Sequence, residues 1–296
     1  MRLKEKWILF GCILIIVIIL TDYFSYPDTS DLKQLKGEVN LCLHIGDYNK
    51  NTLSYLKDLT VKWVRTDWVN TSYNLMADYA KTLQENSINL LAIIDINTFS
   101  QNNFTLQEWN STVTQIVSSK DFSSVDAVEI WNEPNAGAYI NPLTYYEMLK
   151  SAYAIIKNYT TDKVVFAGIS PNIAGWKTYL CNVFANEDVE SYFDYMGIHL
   201  YDDTATNFST LNFIKELTSK PIWVTETGKP SINSETEQAE YLKTIYKTIP
   251  SEVSKIFIYE LNDGSKTEPP QENYFGLLTV NGSKKEAYDV IKNISQ

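Results

Sequence analysis

The sequence contains few of the residues that build disulfide frameworks and transition-metal sites. Its 296 residues include three cysteines and two histidines. Cys12 lies in an apolar N-terminal run, so only Cys42 and Cys181 remain, and these allow at most one disulfide bond. The cysteines and histidines show no metal-ligand spacing. The sequence therefore excludes a disulfide-rich domain and argues against a Cys- or His-based metal site, and we expect no cofactor.

Positive charge is also scarce. The chain has 25 Lys and Arg against 36 Asp and Glu, which gives a net charge of −11. A phosphate backbone is bound by basic surfaces, so nucleic acid is not an expected partner. With 44% hydrophobic and 21% charged residues, the composition is that of a folded chain and not of a disordered one.

The N-terminus has the pattern of an export signal. Arg2, Lys4 and Lys6 precede an apolar run over residues 7–20. A run of this length fits the core of a signal peptide better than a full membrane span of about 20 residues. No small-residue cleavage site follows it, so an uncleaved anchor stays open.

We therefore expect a signal peptide or transmembrane anchor over residues 1–21, a connector over 22–38 and one domain over 39–296. Such a protein would be secreted or anchored to the outer face of the cytoplasmic membrane. Seven N-x-[ST] motifs fit an exported chain that could be glycosylated. They begin at Asn70, Asn103, Asn110, Asn158, Asn207, Asn281 and Asn293.

Beyond the connector, strand-like and helix-like segments alternate. Helical patterns begin at Tyr73, Asn141, Ser234 and Lys284. Eight apolar, β-like runs begin at Leu41, Val61, Asn89, Val125, Val164, Tyr195, Pro221 and Lys255. This count predicts a (β/α)8 TIM barrel. The alternative, a doubly wound open sheet, lacks a G-x-G-x-x-G motif after an early strand.

Polar residues collect where these strands are predicted to end, which is where barrel enzymes place their functional groups. They are His44, Arg65, Asp67, Asp95, Asn132, Glu133, His199, Tyr201, Glu226, Tyr259 and Glu260. Both histidines of the chain belong to this set. Strand ends are solvated and attract polar residues, but that does not explain Glu and His inside apolar, aromatic runs.

Two of these residues form a candidate catalytic pair. Glu133 lies in EIWNEPN and Glu226 in IWVTETG. Glycoside hydrolysis uses two carboxyl groups, one to protonate the leaving oxygen and one to attack the sugar or activate water. Arg65 could hold one carboxylate ionised. The simpler interpretations are surface salt bridges for the glutamates and an ion pair with Asp67 for Arg65.

The W-N-E-P and E-T-G segments resemble those of the clan A retaining glycoside hydrolases. The resemblance spans residues 40–296 and includes VRTDW from Val64, GIHLY from Gly197 and ENYFGLLTVNGSKKEAY from Glu272. It is nearest to the cellulase-type family 5 and xylosidase-type family 39 groups, and it implies a (β/α)8 barrel.

The resemblance implies a role for each matching residue. Glu133 corresponds to the general acid/base and Glu226 to the nucleophile, while Asn132 corresponds to a residue that binds the sugar 2-hydroxyl. Arg65 corresponds to an arginine that steadies the nucleophile. His199 and Tyr201 correspond to a strand-six pair, with the tyrosine donating to Glu226.

The sequence departs from the clan at strand eight. The clan commonly has a Trp there as a platform for the sugar, but the last Trp of this chain is Trp223. We expect Trp68 or Tyr259 to supply the platform. Glu260 could bind a sugar hydroxyl or a cationic group. His44 is a candidate only because of its position at the rim.

These observations predict a retaining β-glycosidase that acts on a poly- or oligosaccharide, in the manner of an endo-β-glycanase, without metal or cofactor. The carboxyl groups of Glu133 and Glu226 are then expected about 5–5.5 Å apart. Two alternatives stay open. One is an exo-acting, β-xylosidase-like enzyme, and the other is a catalytically silent carbohydrate-binding protein on the same scaffold.

Overall fold

The computed structural model describes residues 38–44, 51–68, 73–95, 104–249, 253–264 and 270–295. The predicted leader over residues 1–21 lies outside these residues, as does nearly all of the connector. Among the helices of the described segments, none combines the length and the apolar character needed to cross a membrane.

The described residues form eight parallel strands, one for each run that the sequence predicts. Parallel pairing gives the order β5-β4-β3-β2-β1-β8-β7-β6. The strands are β1 (Val39–Cys42), β2 (Val61–Asp67), β3 (Asn89–Ile94), β4 (Ala127–Asn132), β5 (Lys163–Gly168), β6 (Met196–Leu200), β7 (Ile222–Thr227) and β8 (Val253–Ile258).

One α-helix follows each strand. The helices are α1 (Thr52–Asp58), α2 (Tyr73–Glu85), α3 (Leu106–Val117), α4 (Pro142–Tyr159), α5 (Trp176–Phe184), α6 (Thr204–Leu217), α7 (Glu235–Thr248) and α8 (Glu286–Ile294). The predicted helix start at Ser234 is confirmed, because its side chain caps α7 by accepting from the Glu237 backbone N–H. The alternation of parallel strands and helices is that of a TIM barrel.

The barrel is nearly closed between β5 and β6. Backbone hydrogen bonds there join Phe166 to Tyr195 (2.9 Å) and His199 to Ile169 (3.0 Å). Gly197 makes this approach possible, since a Cβ at that position would lie 2.2 Å from the Phe166 carbonyl oxygen. The eight strand ends are therefore held around one axis.

Two apolar clusters support the barrel. The larger one fills the layer between strands and helices. The smaller one lies beneath the charged residues and includes Cys42, Val165 and Trp223, the last stacked on Tyr195 at 4.4 Å between ring centroids. The barrel interior is thus packed below and polar only at the carboxyl ends of the strands.

The predicted glycosylation motif at Asn207 is inaccessible in the folded domain. The Asn207 side chain is buried on α6, and its amide donates to the Asp202 carbonyl oxygen. An oligosaccharide cannot be attached to a side chain in that position without unfolding the helix. Asn70 and Asn103 lie outside the described residues.

Candidate active site

A cleft of about 980 Å³ opens at the carboxyl ends of the strands. Of the predicted site residues, seven line it: His44, Arg65, Asn132, Glu133, Tyr201, Glu226 and Tyr259. Glu260 is buried in the wall behind the rim, and the His199 ring is fully buried between the two glutamates. Nine of the ten predicted residues thus come together.

Glu226 is held by two strong donors. It lies on β7, and its side chain is buried. Arg65 Nη1 donates to Oε1 at 2.6 Å and the Tyr201 hydroxyl donates to Oε2 at 2.5 Å. Burial alone would raise the pKa of this carboxyl, but His199, Arg65 and Tyr201 outweigh burial and lower the pKa below its usual value. Glu226 is therefore kept as a carboxylate.

Glu133 stands directly after β4 in a more open setting. Its side chain is 31% exposed, and Oε1 lies 2.8 Å from His199 Nδ1. The backbone of Trp131 and of Glu133 has positive φ, at 74° and 45°. Non-glycine residues adopt this conformation only where the surrounding structure imposes it. The twist turns the Glu133 side chain into the cleft.

The two carboxyl groups face each other across His199. His199 Nδ1 is 2.8 Å from Glu133 Oε1 and 3.4 Å from Glu226 Oε2. One carboxyl oxygen of each glutamate lies within 4.8 Å of the other. The two carboxyl groups therefore face the same small space in the cleft.

His199 responds to both carboxylates. Burial opposes a charge on its imidazole, but Glu226 and Glu133 outweigh burial and raise its pKa. The ring packs against Gly168 of β5, where a Cβ would lie 2.0 Å from Nε2. Glycine at position 168 thus leaves the room that the imidazole occupies.

The main residue that the sequence reasoning missed is Glu129 on β4. It is fully buried, and its carboxylate lies against Arg65, with Nε to Oε2 at 2.6 Å and Nη2 to Oε1 at 3.0 Å. The Arg65 guanidinium does not form the alternative ion pair with Asp67, because its short contacts are with Glu129, Glu226 and Asn132. An acidic residue within the apolar run AVEIWN was the available signal, because a buried carboxylate requires a partner.

Trp68 is the one predicted site residue that the fold places away from the other nine. Its side chain is 1% exposed and packs on Phe122, with ring centroids 5.0 Å apart. Side chains alternate along a strand, so Trp68 points outward where Asp67 points into the barrel. The prediction of Trp68 as a sugar platform is therefore wrong.

Tyr259 and its neighbours form the wall at β8. The His44 imidazole Nε2 lies 3.2 Å from the Tyr259 hydroxyl and 3.0 Å from Glu260 Oε2. Phe275 packs on Tyr259 at 5.5 Å between ring centroids. Glu272, which the sequence reasoning also missed, lines the same wall, and burial together with Glu226 and Glu133 raises its pKa.

A metal is poorly suited to this site. Glu133, His199 and Glu226 offer three donor atoms within 4.8 Å of one another. The Arg65 guanidinium already lies 2.6 Å from Glu226 and opposes a second cation. His199 is already hydrogen-bonded to Glu133 at 2.8 Å, an arrangement suited to proton transfer.

Paired carboxyl groups at the ends of β4 and β7 are the equipment that glycoside hydrolases use. Comparison with family models agrees, and the chain belongs to the family described as glycosyl hydrolase catalytic core, whose model matches residues 60–283. The resemblance to clan A is thereby confirmed. A search of curated proteins finds no match to this chain.

Solved structures share the fold at low sequence identity. A family 39 glycoside hydrolase from the gut symbiont Bacteroides cellulosilyticus WH2 is 18% identical, with a TM-score of 0.69 over 88% of this chain and 64% of that one. This chain therefore spans less than two thirds of that protein.

Two further structures are endo-acting enzymes. A family 128 (subgroup II) endo-β-1,3-glucanase from Sorangium cellulosum is 18% identical, with a TM-score of 0.61 over 88% of this chain and 99% of that one. An endo-β-1,4-mannanase from Thermotoga petrophila is 13% identical, with a TM-score of 0.57 over 90% and 77%.

Proposed function

We propose that the protein hydrolyses β-glycosidic bonds with retention of configuration. The observation that carries this proposal is the approach of the Glu133 and Glu226 carboxyl oxygens to within 4.8 Å. Retaining enzymes hold their carboxyl groups about 5–5.5 Å apart, whereas inverting enzymes need about 6.5–9.5 Å.

In this mechanism Glu226 attacks the anomeric carbon. Its ionised form is favoured by Arg65 and Tyr201, which stabilise the carboxylate without occupying the lone pair that attacks. Glu133 protonates the departing glycosidic oxygen, and the bond between the sugar and Glu226 forms as that oxygen leaves.

In the second step Glu133 accepts a proton from water, and the resulting hydroxide displaces Glu226 from the sugar. The Glu133 side chain is 31% exposed, so water in the cleft can reach it. Asn132 Oδ1 accepts from Arg65 Nη2 at 2.9 Å, which turns the amide nitrogen away from the guanidinium and towards the space for the sugar 2-hydroxyl.

We propose endo action on a β-glucan as the finer assignment. The cleft of about 980 Å³ exceeds what a single sugar ring needs, and only residues 201–203 separate β6 from α6, so no long loop covers that side. The family 128 endo-β-1,3-glucanase matches this chain over nearly its whole length. Tyr259 is one of the aromatic rings in the cleft that could stack on a sugar.

The test uses β-1,3- and β-1,4-glucans, mannan, xylan and a panel of nitrophenyl β-glycosides. Proton NMR of the first product anomer reads the stereochemistry, and an α-anomer as first product would refute retention. Endo action predicts a rapid fall in viscosity with a range of oligosaccharides. Release of single sugars from chain ends would instead identify the exo-acting, xylosidase-like alternative, and no hydrolysis of any substrate would identify a silent scaffold.

We also propose that the enzyme acts outside the cell. Arg2, Lys4 and Lys6 before the apolar run over residues 7–20 support export. N-terminal sequencing after cell fractionation tests it. A start near residues 21–30 indicates cleavage and an intact Met1 in the membrane fraction indicates an anchor, whereas full-length protein in the cytosol would refute export.

A further inference from the structure

Glu129 is a buried carboxylate that the proposed mechanism does not use. It is not among the described residues that line the cleft, so it has no contact with substrate. Besides its two contacts with Arg65, its Oε1 accepts the Gly168 backbone N–H at 2.8 Å. The group is thus held from two sides, by β2 and by β5.

We propose that Glu129 is a positioning residue that directs the Arg65 guanidinium at Glu226 and offsets part of its positive charge. This inference rests on the proposed function. Glu129 binds Nε and Nη2, so Nη1 alone is turned to Glu226, at 2.6 Å. Two carboxylates share one guanidinium, and Glu226 keeps more electron density than it would beside an unopposed arginine.

The same residue also supports the acid/base. Gly168 donates its N–H to Glu129 and accepts, through its carbonyl oxygen, the N–H of Glu133 at 3.0 Å. Through this one residue of β5 and through Arg65, Glu129 is connected to both catalytic glutamates. Its position therefore affects the spacing between them.

Groups on the surrounding strands influence the pKa of Glu226, which the acid limb of a pH–rate profile would report. The cationic or neutral groups facing it are Cys42, Arg65, His199, Tyr201 and Tyr259. The other carboxyl groups near it are Asp67, Glu129, Glu133 and Glu272. Among these, only Glu129 is in direct contact with the arginine that touches Glu226.

The decisive variant is Glu129→Gln, which keeps the shape and removes the charge. With Arg65 unopposed, the pKa of Glu226 falls, so the acid limb of kcat/KM moves to lower pH by about one unit. If Glu129 only fixed the guanidinium in place and offset none of its charge, the acid limb would stay where it is, or would rise if Arg65 were released and Glu226 lost its cation. An acid limb that stays in place or moves up therefore overturns the charge-offsetting role of Glu129.

Glu129→Asp tests the position of the carboxylate separately from its charge. It also tests the proposal if Glu129→Gln does not fold. The charge is kept, but the shorter side chain cannot reach Arg65 and Gly168 together. We expect kcat on an aryl glycoside to fall while KM and the acid limb stay near those of the wild type. A kcat equal to that of the wild type would show that the position of this carboxylate does not matter.

Asp126→Asn is the matched control, an equal exchange of carboxyl for amide just before β4 at the far end of the barrel, where Asp126 accepts the Leu90 N–H. It leaves the pH profile unchanged. A wild type that hydrolyses no glycoside would refute the proposed function. An active wild type combined with an unmoved limb in Glu129→Gln would refute only the role of Glu129.

Discussion

Glu133 and Glu226 carry the same carboxyl group in two different settings. Glu226 is buried and accepts hydrogen bonds from Arg65 and Tyr201, whereas Glu133 is partly exposed and its carboxyl group contacts the ring of His199. Different surroundings let one group stay ionised while the other exchanges a proton. Substitution of each should therefore fail in a different way.

Replacing Glu226 by Gln turns the proposed nucleophilic carboxylate into a neutral amide, so turnover of every substrate should be lost. Replacing Glu133 by Ala should spare attack on a dinitrophenyl glycoside, whose leaving group needs little protonation, and slow the breakdown of the glycosyl-enzyme. Stopped-flow absorbance should show a burst followed by slow turnover.

Azide separates these roles further, since it attacks without a general base. It should speed turnover of Glu133→Ala, yield a β-glycosyl azide and leave Glu226→Gln inactive. Full activity of Glu133→Ala on polysaccharide, or turnover by Glu226→Gln, would contradict the assigned roles.

Tyr201→Phe tests the electrostatic support of Glu226. The hydroxyl stabilises the ionised form, so its loss raises the pKa of Glu226 and moves the acid limb of kcat/KM to higher pH. Activity is thus lost first at low pH and retained better near neutrality. A limb that moves to lower pH would show that Tyr201 does not stabilise the carboxylate.

At the scale of elements, β5 ends in Gly168, which has no side chain and so leaves space for the His199 ring. A Cβ on Gly168 would lie 2.0 Å from His199 Nε2 and 2.7 Å from Thr225 Oγ1. We expect Gly168→Ala to displace the imidazole, to lower kcat at least tenfold and to destabilise the fold by about 1–3 kcal/mol, as overpacked cores do.

Gly137→Ala serves as the comparison, because a Cβ there meets no atom within 4 Å. Both variants are measured by steady-state kinetics and by urea unfolding. Similar losses in the two would mean that the effect comes from the residue type and not from the contact with His199.

The strands were predictable because each is a short apolar run bounded by polar turns, which is a local signal. The pair Glu133 and Glu226 was predictable because each motif ends a strand, and strand ends meet in a barrel. Glu129 was not found, since its need for a partner is met by Arg65, 64 positions earlier in the chain. Sequence alone does not give that contact.

The error at Trp68 has a simpler cause. Trp68 directly follows Asp67, and successive side chains of a strand point alternately into the barrel and towards the helix layer. Phe122, which packs on it, precedes β4 and is distant in sequence. Alternation counted from Arg65 would have placed Trp68 outside.

At the scale of the whole molecule, Asp58 joins the first and last helices. At the end of α1 it accepts from Lys292 (2.6 Å), Lys284 (2.9 Å) and Tyr288 (2.8 Å) on or next to α8. Hydrogen bonds from Lys292, Lys284 and Tyr288 hold its pKa far below its usual value. The first and last units of the barrel are thus connected in the helix layer as well as in the sheet.

A carboxyl whose pKa is depressed by folding contributes stability above its unfolded value, about 3.9, and loses it as pH falls further. Asp58→Asn should therefore lower Tm by about 2–4 °C at pH 7, and the gap should narrow below about pH 4. Glu85→Gln, which breaks the exposed pair with Lys81, should change Tm little. A gap for Asp58→Asn that is constant with pH would contradict this account.

Because the strands are parallel, both ends of the described chain join the barrel at the face opposite the cleft. Glu38 precedes β1 and pairs with Lys255 of β8, and Ser295 accepts from Thr60, which precedes β2. A support to which either end of the described chain is coupled would therefore face the closed end of the barrel. The cleft with Glu133 and Glu226 would stay open on the opposite side.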